Sequence, residues 1–387
     1  MAKMGLAHNL GLKAIKLLDL IVPKKKDQVL FYSKPDYSDN GRALYEEFLR
    51  QGLDKKYHAV WLVNGNLEKI KKRYPGVEFY SKSSFKGIIE YCKSSLIYRS
   101  HMLYGNVRTS KQKVTLVWHG MGIKGPMDHN YTPDFADYLT VSSDFYRYRL
   151  CARFRMAPSH CLTTGLPRND FMFAGKERFC LDNLPKVKAN PNCKTVIWMP
   201  TFHADESTGD KDGKFYSLGI PVVKKEELGE LNENLKKNNI VLLIKLHPHL
   251  LGHGAIYEVD YSNIQVFGDN DLPPECSLYH LIGGVDAMLT DYSSVFTDFM
   301  LLDRPIAFIY DDFEEYSKKP GFAFERVELL MPGVHIHETK EFYSWLDDIA
   351  NGIDKGAEER RTLNKFINFH NDNKNSLRVL QMTGLLK

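Results

Sequence analysis

From residue 28 onward, short runs rich in β-branched and aromatic residues alternate with stretches of helical periodicity, the pattern of βαβ units and a parallel sheet. In the first half the runs Gln28–Ser33, His58–Val63, Leu96–Arg99, Val114–Trp118 and Tyr138–Val141 read as strands, with helices such as Gly41–Gln51 and Ser83–Lys93 between them. A polar stretch with scattered proline and asparagine, Leu184 to Lys194, interrupts the alternation and reads as a linker. A second series follows: strands at Thr195–Met199, Ile240–Leu246, Ile264–Phe267, Ala287–Thr290 and Ile306–Tyr310, with helical spacers such as Glu226–Lys237. The last segment, Thr339 to Leu386, is helical in pattern and carries Phe342, Trp345, Leu346 and Ile349 on one face, either closing the second domain or packing back onto the first. No repeat of fixed period and no low-complexity tract is visible.

Single cores stop growing near roughly 250 to 300 residues, so 387 residues call for two domains. The expected fold class is α/β: two doubly wound, Rossmann-like domains facing each other across a cleft. Their expected spans are 27–185 and 195–338, followed by terminal helices at 339–387.

The first 26 residues stand apart. Residues 5–22 read as an amphipathic helix, with Leu6, Leu10, Leu17 and Ile21 at helical spacing and Asn9, Lys13 and Lys16 on another face; Lys24, Lys25 and Lys26 follow. Such a helix can lie in a bilayer interface, each lysine near anionic headgroups contributing about 1 kcal/mol. Equally, its leucines can pack on the protein's own body while its lysines are solvated.

Composition narrows the classes. With 43% hydrophobic and 26% charged residues the chain is of ordinary globular type, and a net charge of +4 names no partner by itself; nothing points to nucleic acid. No stretch approaches the roughly 18 or more consecutive apolar residues of a membrane span, and the amino terminus lacks a secretory signal pattern. Cys92, Cys151, Cys161, Cys180, Cys193 and Cys276 form no CxxC pair and no zinc spacing, which reads as reduced thiols in the cytosol.

In open α/β sheets ligands bind beyond the carboxyl ends of strands, so polar residues directly after a strand are the candidates. One run ends in Trp118-His119-Gly120-Met121-Gly122-Ile123-Lys124, placing His119 where a base would project, with Gly120, Gly122 and Lys124 beside it. A second runs out into Lys245-Leu-His247-Pro248-His249, where Pro248 restricts the backbone of His247. The histidine pair also has a metal-ligand spacing, but no third ligand stands at a matching distance, so no metal is assigned. A third ends in Asp291-Tyr-Ser293-Ser294 at the start of a helix; the serines are ordinary N-caps, or they present hydroxyls and backbone N–H groups to a diphosphate. Gly165-Leu-Pro-Arg168-Asn-Asp170 adds a guanidinium suited to phosphate oxygens, unless Arg168 and Asp170 merely pair with each other, and Met199-Pro-Thr201-Phe-His203 adds Thr201 and His203.

Taken in order, these segments, with the run from Pro305 through Tyr310-Asp311-Asp312 to Gly321-Phe-Ala-Phe, resemble the CDP-glycerol glycerophosphotransferases, the teichoic-acid primases and polymerases and related capsule enzymes. The resemblance covers roughly residues 90 to 335. It implies a GT-B fold, with the donor nucleotide held mainly by the second domain and the acceptor approached from the first. It further implies that His119 and His247 are catalytic, that Ser293, Ser294, Asp291, Arg168, Thr201 and Lys245 bind the donor, and that Gly120, Gly122 and Lys124 lie on the acceptor side. Family members often read Trp-His-Gly-Thr followed by Pro-Leu-Lys, whereas this chain has Met121-Gly122-Ile123-Lys124, a departure that bears on polyol or acceptor preference. The chain looks like the shorter, single-unit members.

The implied reaction is attack of an acceptor hydroxyl on the β-phosphorus of CDP-glycerol or CDP-ribitol, with CMP leaving and His119 as base. No cofactor is required, although a divalent cation is compatible with it. The implied partners are a lipid-linked acceptor and the cytoplasmic face of the membrane, reached as a peripheral protein. Two alternatives stay open: a GT-B glycosyltransferase or epimerase, which would be protected against unfolding by a UDP-sugar and not by CDP-polyols, and a non-catalytic membrane-associated binding subunit.

Overall fold

The computed structural model describes residues 2–125, 136–200, 221–245, 260–310, 312–318 and 321–386, with side chains from residue 8 onward except at 225. The chain divides into two compact units. Unit 1 comprises Met1–Gly120, His129–Phe171 and Phe369–Lys387; unit 2 comprises Met121–Asp128 and Met172–Asn368.

Unit 1 is built on a seven-stranded, all-parallel sheet in the order β3-β2-β1-β4-β5-β6-β7. Its strands are β1 (Lys25–Tyr32), β2 (His58–Val63), β3 (Phe79–Ser81), β4 (Ser94–Arg99), β5 (Lys113–Leu116), β6 (Tyr138–Val141) and β7 (Cys161–Thr163). The helices in order are α1 (Ala2–Ile21), α2 (Asp39–Arg50), α3 (Leu67–Arg73), α4 (Phe85–Lys93) and α5 (Asp144–Phe154). Phe31 on β1 anchors the core, stacked between Trp61 of β2 and Tyr98 of β4 at centroid distances of 5.5 and 5.6 Å, with Tyr45 and Phe48 of α2 edge-on to it.

Unit 2 has a six-stranded, all-parallel sheet in the order β10-β9-β8-β11-β12-β13. Its strands are β8 (Lys194–Met199), β9 (Ile240–Lys245), β10 (Ile264–Phe267), β11 (Ala287–Thr290), β12 (Ile306–Ile309) and β13 (Val334–Ile336). Around them lie α6 (Glu177–Asp182), α7 (Pro185–Ala189), α8 (Leu228–Lys237), α9 (Leu278–Gly284), α10 (Val295–Phe299), α11 (Phe313–Lys318), α12 (Thr339–Ala350) and α13 (Ala357–Ile367). Every residue of β9, β11 and β12 is buried, as strands covered on both faces must be. Phe342, Trp345, Leu346 and Ile349 of α12 enter that core as one face.

The division departs from the expected boundaries in four places. The amino-terminal helix belongs to unit 1, and Lys25 and Lys26 open β1 instead of closing a separate segment. A short segment from Met121 joins unit 2 before the chain returns to unit 1. The stretch Leu184–Lys194 is no linker: it carries α7 inside unit 2, where α6 already packs on α9 and Cys180 is disulfide-bonded to Cys276 across a Cα separation of 5.8 Å. That bond also corrects the reading of six reduced thiols, since a sequence separation of 96 residues hides the pairing from any local spacing rule. Finally the terminal helices split, because α14 (Asn375–Met382) returns to unit 1 and packs on α2. Gly165 receives it: φ is +75°, and a Cβ there would lie 1.9 Å from Asn375 Oδ1.

Candidate functional site

Sheet order places the polar strand ends. In unit 1 the order reverses between β1 and β4, and in unit 2 between β8 and β11; such switch points open a crevice at the carboxyl ends of the strands. Lys34 follows β1, Ser100 and His101 follow β4, and His119 follows β5, so unit 1 gathers two imidazoles there. In unit 2 the corresponding residues are Asp291, Ser293 and Ser294 after β11, tied to the end of β8 by the Thr290 hydroxyl, which donates to the Met199 carbonyl at 2.7 Å.

The strand leading to His119 stops at Leu116, because the backbone turns at Trp118 with φ of 43°. A left-handed conformation is a genuine outlier for a bulky residue. The turn is fastened from outside: Asn40 Nδ2 donates to the Trp118 carbonyl at 2.9 Å, and Arg168 Nη1 donates to the His119 carbonyl at 2.7 Å. Arg168 also pairs with Asp39 at 2.9 Å, while Asp170 accepts the backbone N–H groups of Asn375 and Ser376 at 2.9 and 2.7 Å. Arg168 and Asp170 are thus engaged elsewhere and do not pair with each other.

The His119 ring stacks on His101, with centroids 4.6 Å apart and planes 15° from parallel, and is tilted against Trp118 at 3.9 Å. Ser100 Oγ lies 2.8 Å from His101 Nδ1 and accepts the Lys34 N–H at 3.3 Å. Burial pushes the His119 pKa down to about 3, assisted by the charges of His101, Arg168 and Arg153, with the Ser100 backbone opposing. His101 is pushed down to about 4, again chiefly by burial and then by Lys34. Both imidazoles are therefore neutral at pH 7, and His119 Nδ1 is buried with no hydrogen-bond partner among the described residues.

In unit 2, Asp291 is buried and accepts the Ser293 N–H at 3.0 Å, folding the chain back at the head of α10. Ser294 is the N-cap of α10, yet its hydroxyl makes no capping bond. Tyr292 donates to Asp312 at 2.9 Å and its ring meets Phe322 at 5.2 Å, so the Asp291–Ser294 segment is packed against two parts of the run from Pro305 to Phe324. The segment from Met121 joins this cluster. Gly125 donates its N–H to the Gly321 carbonyl at 2.7 Å, and Ala323 donates to the Ile123 carbonyl at 2.8 Å. A Cβ on Gly122 would stand 3.1 Å from Ser294 Cβ, and Lys124 has its pKa lowered by burial, with the nearby Asp291 carboxylate working the other way.

The site residues expected from sequence therefore fall into separate groups. Gly120 stays with His119 in unit 1, whereas Gly122 and Lys124 keep company with Asp291, Ser293 and Ser294 in unit 2. Arg168 lies in unit 1 beneath the His119 turn. Lys245, at the end of β9, is buried 3.3 Å from Asp269. His247, Thr201, His203 and His249 lie outside the described residues. Sequence reasoning missed Asn40, Asp39 and His101. The strand-end rule that selected His119 would have selected His101, which stands two residues beyond β4; no local signal marks Asn40, whose partners are 78 and 128 residues away.

The profile of the CDP-glycerol:poly(glycerophosphate) glycerophosphotransferases matches residues 14–383. The chain belongs to this family. Like its members it is a transferase, and its chemistry is polyol-phosphate transfer. Among the similar proteins, the teichoic acid ribitol-phosphate primase of Bacillus spizizenii is 25% identical over 397 residues, covering 95% of this chain and 93% of the relative. The teichoic acid glycerol-phosphate transferase of Staphylococcus aureus is 25% identical over 356 residues, covering 85% and 84%. A structure of the wall teichoic acid polymerase TagF superposes with a TM-score of 0.74 at 20% identity, covering 98% of this chain and 96% of that one, which establishes the GT-B type of fold with two parallel sheets. A UDP-GlcNAc 2-epimerase from Neisseria meningitidis shares the fold more distantly, with a TM-score of 0.51 at 12% identity.

Proposed function

We propose that the chain transfers glycerol phosphate from CDP-glycerol to a hydroxyl of a lipid-linked acceptor, releasing CMP, with His119 as general base. The observation that carries the base assignment is the state of His119: a neutral imidazole at a strand end, in a turn that hydrogen bonds hold in place. The acceptor oxygen forms a bond to the β-phosphorus and its proton passes to His119. The bond from that phosphorus to the oxygen shared with the α-phosphate breaks, and CMP leaves with the electron pair. A basic group in its neutral form is what proton removal requires, and approach of an anionic donor raises the basicity of the imidazole from its low resting value.

Ser293, Ser294 and Lys245 supply hydroxyls, backbone N–H groups and positive charge to the donor diphosphate, with Thr201 and His247 assigned the same task from sequence alone. Positioning and charge neutralisation are most of what phosphoryl transfer needs. The positions of Gly122 and Lys124 beside Ser294 and Asp291 support moving both to the donor side. A variant of TagF was solved after soaking with CDPG, which supports a CDP-polyol as the donor class here too.

The membrane assignment draws on α1. Ile15 and Asp19 face unit 1, and any side chain at Gly105 would collide with Leu12, so this face is the docked one. Leu10, Leu17, Leu20 and Ile21 are exposed, as are Lys13, Lys16, Lys25 and Lys26. An apolar outer face flanked by lysines suits an anionic membrane surface. No helix among the described residues is long and apolar enough to cross a membrane.

The test is CMP release by purified protein supplied with CDP-glycerol or CDP-ribitol and a lipid-linked disaccharide. Turnover with one of the donors is expected, and in His119→Ala kcat should fall by roughly 10²–10⁴-fold while donor binding persists. Protection against unfolding by a UDP-sugar, with none from either CDP-polyol, would refute the donor assignment.

A further inference from the structure

The Trp118-His119-Gly120 turn holds a bulky residue in left-handed backbone, a strained state that persists only when its surroundings over-determine it. Two side chains do so here. Asn40, fully buried near the start of α2, uses both ends of its amide: Nδ2 donates to the Trp118 carbonyl at 2.9 Å, and Oδ1 accepts the Arg168 N–H at 2.9 Å. Arg168 in turn donates through Nη1 to the His119 carbonyl at 2.7 Å and to Asp39 Oδ1 at 2.9 Å. Three segments far apart in sequence are thus closed into one hydrogen-bonded clamp around two consecutive peptide carbonyls.

We propose that Asn40 and Arg168 are positioning residues that set the direction of the His119 imidazole by holding the carbonyls of Trp118 and His119; the proposal rests on His119 being the base. Neither side chain needs to touch substrate. A buried amide satisfied at both ends has one orientation, and Arg168 reaches a carboxylate and a carbonyl together, which a lysine's single ammonium on a flexible stem does not reproduce in the same geometry. Releasing the clamp lets the strained turn relax and carries the ring with it. A displacement of about 1 Å at a reacting group costs on the order of 10²-fold in rate.

The experiment compares steady-state CMP release for the full chain and for Asn40→Ala, Arg168→Lys, His119→Ala and the double variant Asn40→Ala with His119→Ala. The expected result is a kcat reduced on the order of 10²-fold in Asn40→Ala and Arg168→Lys, with the KM for CDP-glycerol within about twofold of the parent. The double variant should be no slower than His119→Ala, because the clamp acts only through the imidazole. Parental kcat in both single variants, or a further tenfold loss in the double variant, would overturn the proposal in favour of a purely structural role. Should Asn40→Ala lose its cooperative unfolding transition, Arg168→Lys alone and combined with His119→Ala carries the same comparison. A His119→Ala variant at the parental rate would remove the base assignment itself, an outcome distinct from failure of the clamp.

Discussion

The imidazoles of His101 and His119 stack nearly parallel, 4.6 Å between centroids, although they belong to strand ends of different strands. Among the described residues the charged groups acting on them are Lys34 after β1, Arg168 after β7 and Arg153 on α5, all cationic, with Asp39 paired to Arg168. A charge on either ring therefore disfavours a charge on the other. Replacing His101 by Gln removes one such charge, so the acid limb of the kcat/KM profile, measured from pH 3 to 8, should move to higher pH. An unmoved limb would show that His101 does not act on the protonation of His119. Stability follows with a definite sign. Both folded pKa values lie below the ordinary 6.5, so their contribution is full above pH 6.5 and is lost as pH falls toward 4 and then 3. The urea midpoint should drop over that window, and drop less in His101→Gln.

Gly122 and Lys124 provide a test of which substrate their segment serves. A methyl group at 122 must displace Ser294, and Lys124 shares its surroundings with Asp291. Gly122→Ala and Lys124→Met should each raise the KM for the CDP-polyol by about tenfold, equivalent to ~1.4 kcal/mol, and leave the acceptor KM unchanged. The reverse pattern would return the segment to the acceptor.

Why the sequence led to these residues but not to their arrangement follows from what each signal depends on. Strand and helix patterns are local, so β2, β6, β10 and β11 match their expected spans residue for residue, while three-residue strands such as β3 and β13 are too short to show alternation. His119 and Ser293–Ser294 were legible because a polar residue after an apolar run is itself a local pattern. The clamp of Asn40 and Arg168, the stacking of His101, the Cys180–Cys276 bond and the passage of Met121–Lys124 into unit 2 depend on strand order, which no periodicity encodes.

Asp170 makes a further prediction about how the carboxyl-terminal helix is held. Its carboxylate accepts two N–H groups at the head of α14, yet burial raises its pKa to about 6 despite those bonds and the nearby Arg378. With the folded value above the unfolded one, its proton-linked contribution is full below pH 3.8 and is lost as pH rises through about 6. Asp170→Asn should therefore flatten the stability of unit 1 between pH 4 and 6. Asp170→Ala should cost about 1–3 kcal/mol at pH 7 by leaving buried N–H groups unmatched. Denaturant unfolding of the two variants across that range checks both, and equal slopes in parent and Asn variant would count against the shifted carboxyl.

The outer face of α1 separates attachment from catalysis. Leu10 and Leu17 are 58% and 61% exposed, so replacing them removes no core contact, and Lys13 and Lys16 are exposed on the same helix. Lysines near an anionic surface contribute about 1 kcal/mol each, so Lys13→Gln with Lys16→Gln should weaken binding to phosphatidylglycerol vesicles by roughly 30-fold. Leu10→Ser with Leu17→Ser should weaken it further, since each leucine inserted into the interface contributes about 1.5–3 kcal/mol at most. Because Ile15 and Asp19 keep the helix docked, unfolding of all four-position variants should remain close to the parent. CMP release toward a short-chain, water-soluble acceptor should then be unchanged, whereas release toward an acceptor embedded in vesicles should fall in proportion to the bound fraction. Undiminished vesicle binding by the combined variant would show that α1 is not the attachment surface.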